Sequence, residues 1–252
     1  MVDSHIQMPK LLLKKFHNEY KQFYYYDVKK KCIGNRGQAK SLNTECGYYS
    51  EETEKYLEKE IETPFSKILK YLEDVGIKDK NIVSINSEII DSVFNFMYAL
   101  VVRAPSFQEQ LAKDDNDISN LLDVERRDRI IRICMDITKE SGFFDDFIFT
   151  FLFNNTEIPF VLSMDGIYNY TLNGHLVINL PILPNIAICL VHKNYADRII
   201  YKDGSVSMFT YDRPEDIMIM NHQAFLSQIK HEWGYVVCPQ RAELERLLNE
   251  NT

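Results

Sequence analysis

The stretch FIFTFLF at residues 147–153 decides the fold, because the chain changes there from helical to extended patterns. A second short apolar run, IPFVLSM, follows at residues 158–164. Asn-Gly at 173–174 and Asp-Gly at 203–204 are typical of tight hairpin turns, since these dipeptides tolerate positive backbone angles. The C-terminal part of the chain is therefore predicted to form a largely antiparallel sheet.

Helical spacing dominates the residues before this sheet and returns after it. Apolar side chains recur at helical spacing, or the composition favours helix, at residues 50–76, 87–102, 124–141, 214–230 and 241–249. Pro64 lies inside the first of these segments and is expected to break or kink the helix. Near the N-terminus, the run FYYYDV at residues 23–28 and the polar segment 29–37 predict a β-hairpin.

The predicted fold class is α+β, with an N-terminal β-hairpin and a helical middle packed on the C-terminal sheet. No internal repeat or long linker divides the sequence. We therefore expect residues 1–252 to form a single globular domain, which divides at most into a helical half, 50–142, and a sheet-rich half, 143–252.

The charge of the chain argues against a general nucleic-acid binder. The net charge is -8, so the molecule as a whole does not suit a phosphate backbone. Residues 1–40 nevertheless contain nine Lys or Arg and three Asp or Glu, a local charge of +6 that leaves -14 for the remainder. Nucleic acid is thus a candidate partner for the basic segment 10–40, and a solvated lysine-rich surface explains the same charge.

Cysteine usage and hydropathy predict a cytoplasmic protein that makes no membrane contact. The five cysteines are widely spaced, contain no CxxC pair and follow no secretory segment, which favours reduced thiols. Residues 166–192 contain no charged side chain, but Pro181 and Pro184 deny them a continuous transmembrane helix. We expect this segment to form buried sheet.

Six short segments, in the same order along the chain, resemble the motifs of the bacterial domain-of-unknown-function 4238 family. They are HIQMPKLLLKKF at 5–16, YYYDVKKK at 24–31, YYS at 48–50, RAPSF at 103–107, PFVLS at 159–163 and LPILP at 180–184. The resemblance implies an intracellular bacterial α+β protein, and it implies no activity, because the family has none assigned. Where the family pattern reads Ser-Asp-Asn-Pro, this chain reads Ser-Met-Asp-Gly at 163–166, so its acidic residue is displaced by one position.

Four residues are candidate site residues. His5 and Asp165 are the catalytic candidates, and Arg103 and Ser163 are the ligand-binding candidates. His5 stands in the resembled motif, with helix capping or core packing as its alternative role. Ser163 and Asp165 end a predicted strand, where Ser-x-Asp-Gly also forms turns whose side chains bind their own backbone.

Arg103 closes a very apolar helix, so its guanidinium is either paired with a carboxylate or available to an anionic ligand. The candidate carboxylates are Asp145, Asp146 and Asp165. His231 is predicted to end a helix and to interact there with the helix dipole.

Other site patterns leave the cofactor and the metal unassigned. The histidines form no HExxH or i, i+4 pair, and the acids Asp145, Asp146, Glu157 and Asp165 lack the ExK spacing of a restriction-type nuclease. The glycines at 34 and 37 lie beside three lysines at 29–31, an arrangement that suits a phosphate, but a plain hairpin turn is the favoured interpretation.

Two functions remain open from the sequence. One is a hydrolase acting on nucleic acid or a nucleotide, with His5 and Asp165 around a pocket flanked by Arg103. The other is a noncatalytic binding or sensing module, for example in a defence or mobile-element context. The two differ in whether His5, Arg103 and Asp165 line one cleft or are dispersed as caps and turns.

Overall fold

The computed structural model describes residues 3–5, 8–36, 42, 44–76, 82–84, 87–114, 116–141, 146–172, 175–194 and 205–251. The strands are β1 (Asp3–His5), β2 (Phe23–Asp27), β3 (Cys32–Arg36), β4 (Thr44–Cys46), β5 (Ile82–Ser84), β6 (Phe147–Asn154), β7 (Leu162–Ser163), β8 (Tyr168–Leu172), β9 (His175–Leu183), β10 (Ile186–His192), β11 (Ser205–Tyr211) and β12 (Tyr235–Cys238). The helices are α1 (Lys10–Lys15), α2 (Glu51–Tyr56), α3 (Thr63–Gly76), α4 (Ser87–Arg103), α5 (Pro105–Asp114), α6 (Asn116–Ser119), α7 (Asp123–Ser141), α8 (Pro214–Ile229) and α9 (Arg241–Asn249), and a π-helical segment, Leu57–Glu62, joins α2 to α3.

The largest sheet has six strands in the order β5-β11-β6-β10-β9-β8. Its neighbours are antiparallel except β11, which runs parallel to β6. The uncharged segment 166–192 supplies β8, β9 and β10, and most of its described side chains are buried, as predicted. The turns predicted at 173–174 and 203–204 lie outside the described residues. Among the described residues, none of the helices combines the length and the apolar character needed to cross a bilayer.

Strand β6 alternates between two buried faces, because successive side chains of a strand point to opposite sides of the sheet. Phe149, Phe151 and Phe153 pack into the larger apolar cluster, with side chains of α3, α4 and α7. Leu152 packs on the opposite face, in a second cluster with side chains of α8 and α9. The sheet is therefore a middle layer that is covered on both sides, and the fold class is α+β as predicted.

The predicted N-terminal hairpin is present as β2 and β3, and it belongs to a separate four-stranded sheet. The order of that sheet is β3-β2-β12-β7, and all of its pairs are antiparallel. Strand β12 pairs with β2 from Tyr235 opposite Asp27 to Cys238 opposite Tyr24. The sheet thus joins residues from the two ends of the chain.

The predicted helix over residues 50–76 forms, and Pro64 does not end it. The Ser50 hydroxyl caps the N-terminus by accepting a hydrogen bond of 3.2 Å from the backbone N–H of Thr53. The π-helical segment comes immediately before α3, in which Pro64 is the second residue. A wider turn here relieves the clash between the proline ring and the preceding carbonyls, so the chain remains helical to Gly76.

The apolar run at 158–164 contributes only Leu162–Ser163 to a strand, and a side chain of α8 binds part of the remaining backbone. The buried amide of Asn221 accepts a hydrogen bond of 3.0 Å from Val161 N and donates one of 2.8 Å to Pro159 O. It also donates a hydrogen bond of 2.7 Å to Glu243 Oε1 on α9. The strand expected from this apolar run therefore forms only at Leu162–Ser163.

Replacing Asn221 by Ala tests whether its amide holds the backbone at Pro159 and Val161. We expect Asn221→Ala to lower the free energy of unfolding by about 2–4 kcal/mol, since several buried polar groups lose their partners at roughly 1–3 kcal/mol each. The matched control is Asn155→Ala, which removes an exposed hydrogen bond of 2.8 Å to Asp212. We expect the control to lose less than about 1 kcal/mol in urea-induced unfolding. Equal losses in the two variants would contradict this role of Asn221.

Candidate functional site

Arg103 lies at the end of α4, buried, with a carboxylate as its partner. Its Nη1 donates a hydrogen bond of 2.9 Å to Oε1 of Glu62, the last residue of the π-helical segment. The guanidinium carbon also lies 6.0 Å from the ring centroid of Tyr49. Burial lowers the pKa of Arg103, but Glu62 and Tyr49 outweigh burial and raise this pKa above its ordinary value. The described carboxylate partner is thus Glu62, which the sequence analysis did not consider, and ligand binding by Arg103 stays a prediction.

Ser163 is buried in β7, where it pairs with Val236 of β12. The backbone N–H of Gly166 donates a hydrogen bond of 2.9 Å to the Ser163 carbonyl and closes a turn over residues 163–166. Gly166 adopts a positive φ of 70°, and a Cβ atom there would lie 2.8 Å from Met8 Cε. The Ser163 hydroxyl is enclosed and meets no hydrogen-bonding partner among the described residues. A ligand-binding role for Ser163 therefore stays a prediction.

Asp165 lies in the same turn and binds a residue far along the chain. Its Oδ2 lies 2.8 Å from Nε2 of His231, which follows the end of α8. The side chains are 15% and 30% exposed, so this pair is accessible from solvent at one side. No local pattern links residues so far apart in sequence, which explains why the pair was not predicted.

Gln228 ties the turn at 163–166 to the turn at 230–234. Its buried Oε1 accepts hydrogen bonds from Met164 N at 2.6 Å and from Asp165 N at 3.3 Å. Its Nε2 donates one of 2.9 Å to Trp233 O. Gly234 has a φ of 87°, and a Cβ atom there would lie 2.6 Å from Gln228 Nε2. The backbone of both turns is thus fixed from one side by a single amide.

His5 lies in β1 with its backbone opposite Thr44, and its side chain lies outside the described part of the structure, as does Asp145. Within the described ranges, no three His, Cys, Asp or Glu side chains come together to hold a metal ion. Because the side chain of His5 is not described, the predicted convergence of His5, Arg103 and Asp165 on one cleft stays a prediction.

A cleft of about 610 Å³ lies beside the turn at 230–234. We name it the lysine cleft. It is formed by the end of β2 and the turn after it, by the C-terminal part of α8 and by the end of α9. Its lining residues are Tyr26, Val28, Lys29, Lys31, Phe225, Ile229, Glu232, Leu248 and Asn251.

The floor of the lysine cleft is apolar and continuous with the core. Tyr26, Val28 and Phe225 are buried in the cluster that lies under α8, and Ile229 and Leu248 pack against it. The rings of Tyr26 and Phe225 are in contact, with their centroids 5.5 Å apart. Burial, with smaller effects of Cys32 and Asp27, raises the pKa of the Tyr26 phenol, so the floor carries no charge at neutral pH.

The rim of the lysine cleft is charged, and the sequence of its hairpin turn explains why. Lys30 is anchored to the buried Asp27, with its backbone N–H at 2.9 Å and its Nζ at 3.1 Å from the carboxylate oxygens. The alternate residues Lys29 and Lys31 line the cleft and are exposed. Glu232 stands at the rim as the acidic member.

Two of the rim residues adopt a positive backbone φ, which residues other than glycine rarely adopt. Lys31 has a φ of 52° and Glu232 a φ of 58°. The only other described non-glycine residue with a positive φ is Lys21. Such strain persists where the surroundings require it and is common at functional sites. The observation points to the lysine cleft and was not readable from the sequence.

Comparison of the chain with protein-family models, with curated protein sequences and with solved structures found no match. The resemblance to the domain-of-unknown-function 4238 family therefore stays a prediction.

The two interpretations of Arg103 predict different stabilities. If the pair with Glu62 is structural, we expect Arg103→Ala to lower the free energy of unfolding by about 3–5 kcal/mol. The substitution leaves the partly buried Glu62 carboxylate without its charged partner. The control is Lys55→Ala, which breaks the exposed Lys55–Glu51 pair at 2.7 Å and costs at most about 1 kcal/mol. Urea unfolding compares the two, and an Arg103→Ala variant as stable as the control would indicate an arginine kept for a ligand.

Proposed function

We propose that the protein is a noncatalytic binding module that takes a small amphipathic anion into the lysine cleft. The observation that carries the proposal is the combination of an apolar floor with two lysines at the rim of one concavity. Clefts of about 300–1,000 Å³ with mostly apolar walls and a few charged groups are typical small-molecule sites.

Lys29 and Lys31 favour an anion, because their side chains are exposed. Among the described residues, Lys29 and Lys31 form no salt bridge, whereas Lys30 between them is bound to Asp27. Two ammonium groups on one short turn repel each other, and an anion between them relieves this repulsion. The ligand is therefore expected to place its charge at the hairpin turn and its apolar part on the floor.

The net charge of the chain limits the ligand to a small molecule. A net charge of -8 repels a long polyanion, and two lysines neutralise only a short anionic group. Nucleic acid along the basic segment 10–40 is therefore less favoured than a small anion in the cleft. The odd number of cysteines, without CxxC pairs, supports a reducing and hence cytoplasmic setting for this module.

A hydrolase is the second candidate function, and the Asp165–His231 pair is the observation that favours it. A carboxylate that orients a partly exposed imidazole is the arrangement of a general base. The enclosed Ser163 hydroxyl does not face solvent, so water is the nucleophile that such a base would activate. The nucleic-acid or nucleotide substrate of the sequence hypothesis belongs to this candidate.

A fluorescent amphipathic anion tests the binding proposal. The probe is 1-anilinonaphthalene-8-sulfonate, which carries aromatic rings and one sulfonate. We expect saturable binding that Lys29→Gln/Lys31→Gln weakens on the order of tenfold, because two favourable charge interactions are lost. Leu248→Trp, which fills the cleft, is expected to abolish this binding.

The matched control is Lys67→Gln/Lys70→Gln, which removes the same charge from exposed positions of α3. The proposal requires the control to bind the probe like the unchanged protein. If both double variants weaken binding equally, the probe responds to net charge alone and the proposal fails.

Turnover separates the two candidate functions. The substrate is bis(p-nitrophenyl) phosphate, a general phosphodiester, assayed with and without added divalent metal. A noncatalytic module releases no nitrophenolate above background. Hydrolysis that disappears in both His231→Gln and Asp165→Asn, while Lys67→Gln/Lys70→Gln retains it, would replace the binding proposal by the hydrolase.

A further inference from the structure

We infer that the lysine cleft binds a nucleoside monophosphate, with the phosphate at Lys29 and Lys31 and the sugar hydroxyls at Glu232. The inference rests on the proposed function and narrows it to one chemical class. It depends on the rim carrying both signs of charge, which a simple anion site does not need.

The number of lysines fits a phosphate monoester. A phosphate monoester carries a charge of about -1.5 to -2 at neutral pH, which two ammonium groups balance. A single carboxylate, such as that of a fatty acid, neutralises only one of them. A triphosphate brings more negative charge than two lysines balance, in a chain whose net charge is already -8.

Glu232 selects a ligand that has hydrogen-bond donors. A carboxylate at the rim repels a ligand that carries only negative charge and apolar surface. It accepts hydrogen bonds from hydroxyl groups, and carboxylates bind ribose hydroxyls in this way in dinucleotide sites. The strained φ of Glu232, 58°, shows that the turn at 230–234 holds an acidic residue where glycine would be relaxed.

The floor and the far rim suit a flat heterocycle with polar edges. Ile229 and Leu248 are half-buried and present apolar surface above the Tyr26 and Phe225 rings. Asn251 lines the cleft, and its Nδ2 donates a hydrogen bond of 2.6 Å to Leu247 O, which fixes its amide. The Oδ1 atom of that amide is the one that would accept a hydrogen bond from a base amino group.

The experiment measures displacement of 1-anilinonaphthalene-8-sulfonate by five competitors: adenosine 5′-monophosphate, its 2′-deoxy analogue, adenosine, inorganic phosphate and octanoate. We expect the monophosphate to compete at least tenfold better than adenosine, phosphate or octanoate. The 2′-deoxy analogue is expected to compete several-fold less well, because one hydroxyl is missing.

Glu232→Gln gives the sharpest readout, because the inference predicts opposite changes for two ligands. Removing the carboxylate charge should weaken adenosine monophosphate several-fold and strengthen octanoate and the probe itself. Glu88→Gln, an exposed acid of α4, is the matched control and should change neither.

The outcomes for the inference and for the proposed function are distinct. If octanoate displaces the probe and the monophosphate does not, the inference is overturned while the amphipathic-anion site stands. If Glu232→Gln strengthens every ligand alike, Glu232 is a repulsive neighbour and the inference is also overturned. If the probe itself does not bind, both fail together.

Discussion

The burial of one sheet on both faces is the constraint from which the rest of the structure follows. Strand β6 directs its phenylalanines toward α3, α4 and α7, and Leu152 toward the cluster beneath α8 and α9. A sheet with two apolar faces requires a cover on each side. The helices of the middle of the chain cover one face, and α8, α9 and the four-stranded sheet cover the other. The lysine cleft lies on this second side of the sheet, where α8 ends beside the β2–β3 hairpin.

The position of the cleft is set by the contacts that fix two turns, more than by the side chains that line it. Val28 N donates a hydrogen bond of 3.1 Å to Gly234 O, which binds the hairpin turn to the turn at 230–234. Gln228 and the Asp165–His231 pair bind that second turn to the turn at 163–166. The lysines and Glu232 therefore line one cleft because two turns are fixed against each other.

Much of the fold was predictable, because it depends on the local spacing of apolar residues. The helices of residues 51–76 and 87–103, the hairpin β2–β3 and the strands of 147–192 follow from apolar spacing and turn residues. The pairs Arg103–Glu62 and Asp165–His231 were not predictable, since each joins residues far apart in sequence. The same holds for Asn221, whose amide binds the backbone at Pro159 and Val161. The glycines at 34 and 37, beside Lys29–Lys31, were expected to form a phosphate loop or a plain hairpin turn. Gly34 lies instead in β3, Gly37 lies outside the described residues, and the turn forms at 28–31 with Lys29 and Lys31 at the cleft.

A crystal structure of the protein with adenosine 5′-monophosphate bound tests the central claim most directly, because it locates the ligand without reference to affinity. We predict the phosphate between Lys29 and Lys31, the ribose at Glu232 and the base on the floor formed with Ile229 and Leu248. A nucleotide bound at the Asp165–His231 pair, with the lysine cleft unoccupied, would contradict this prediction and favour the hydrolase.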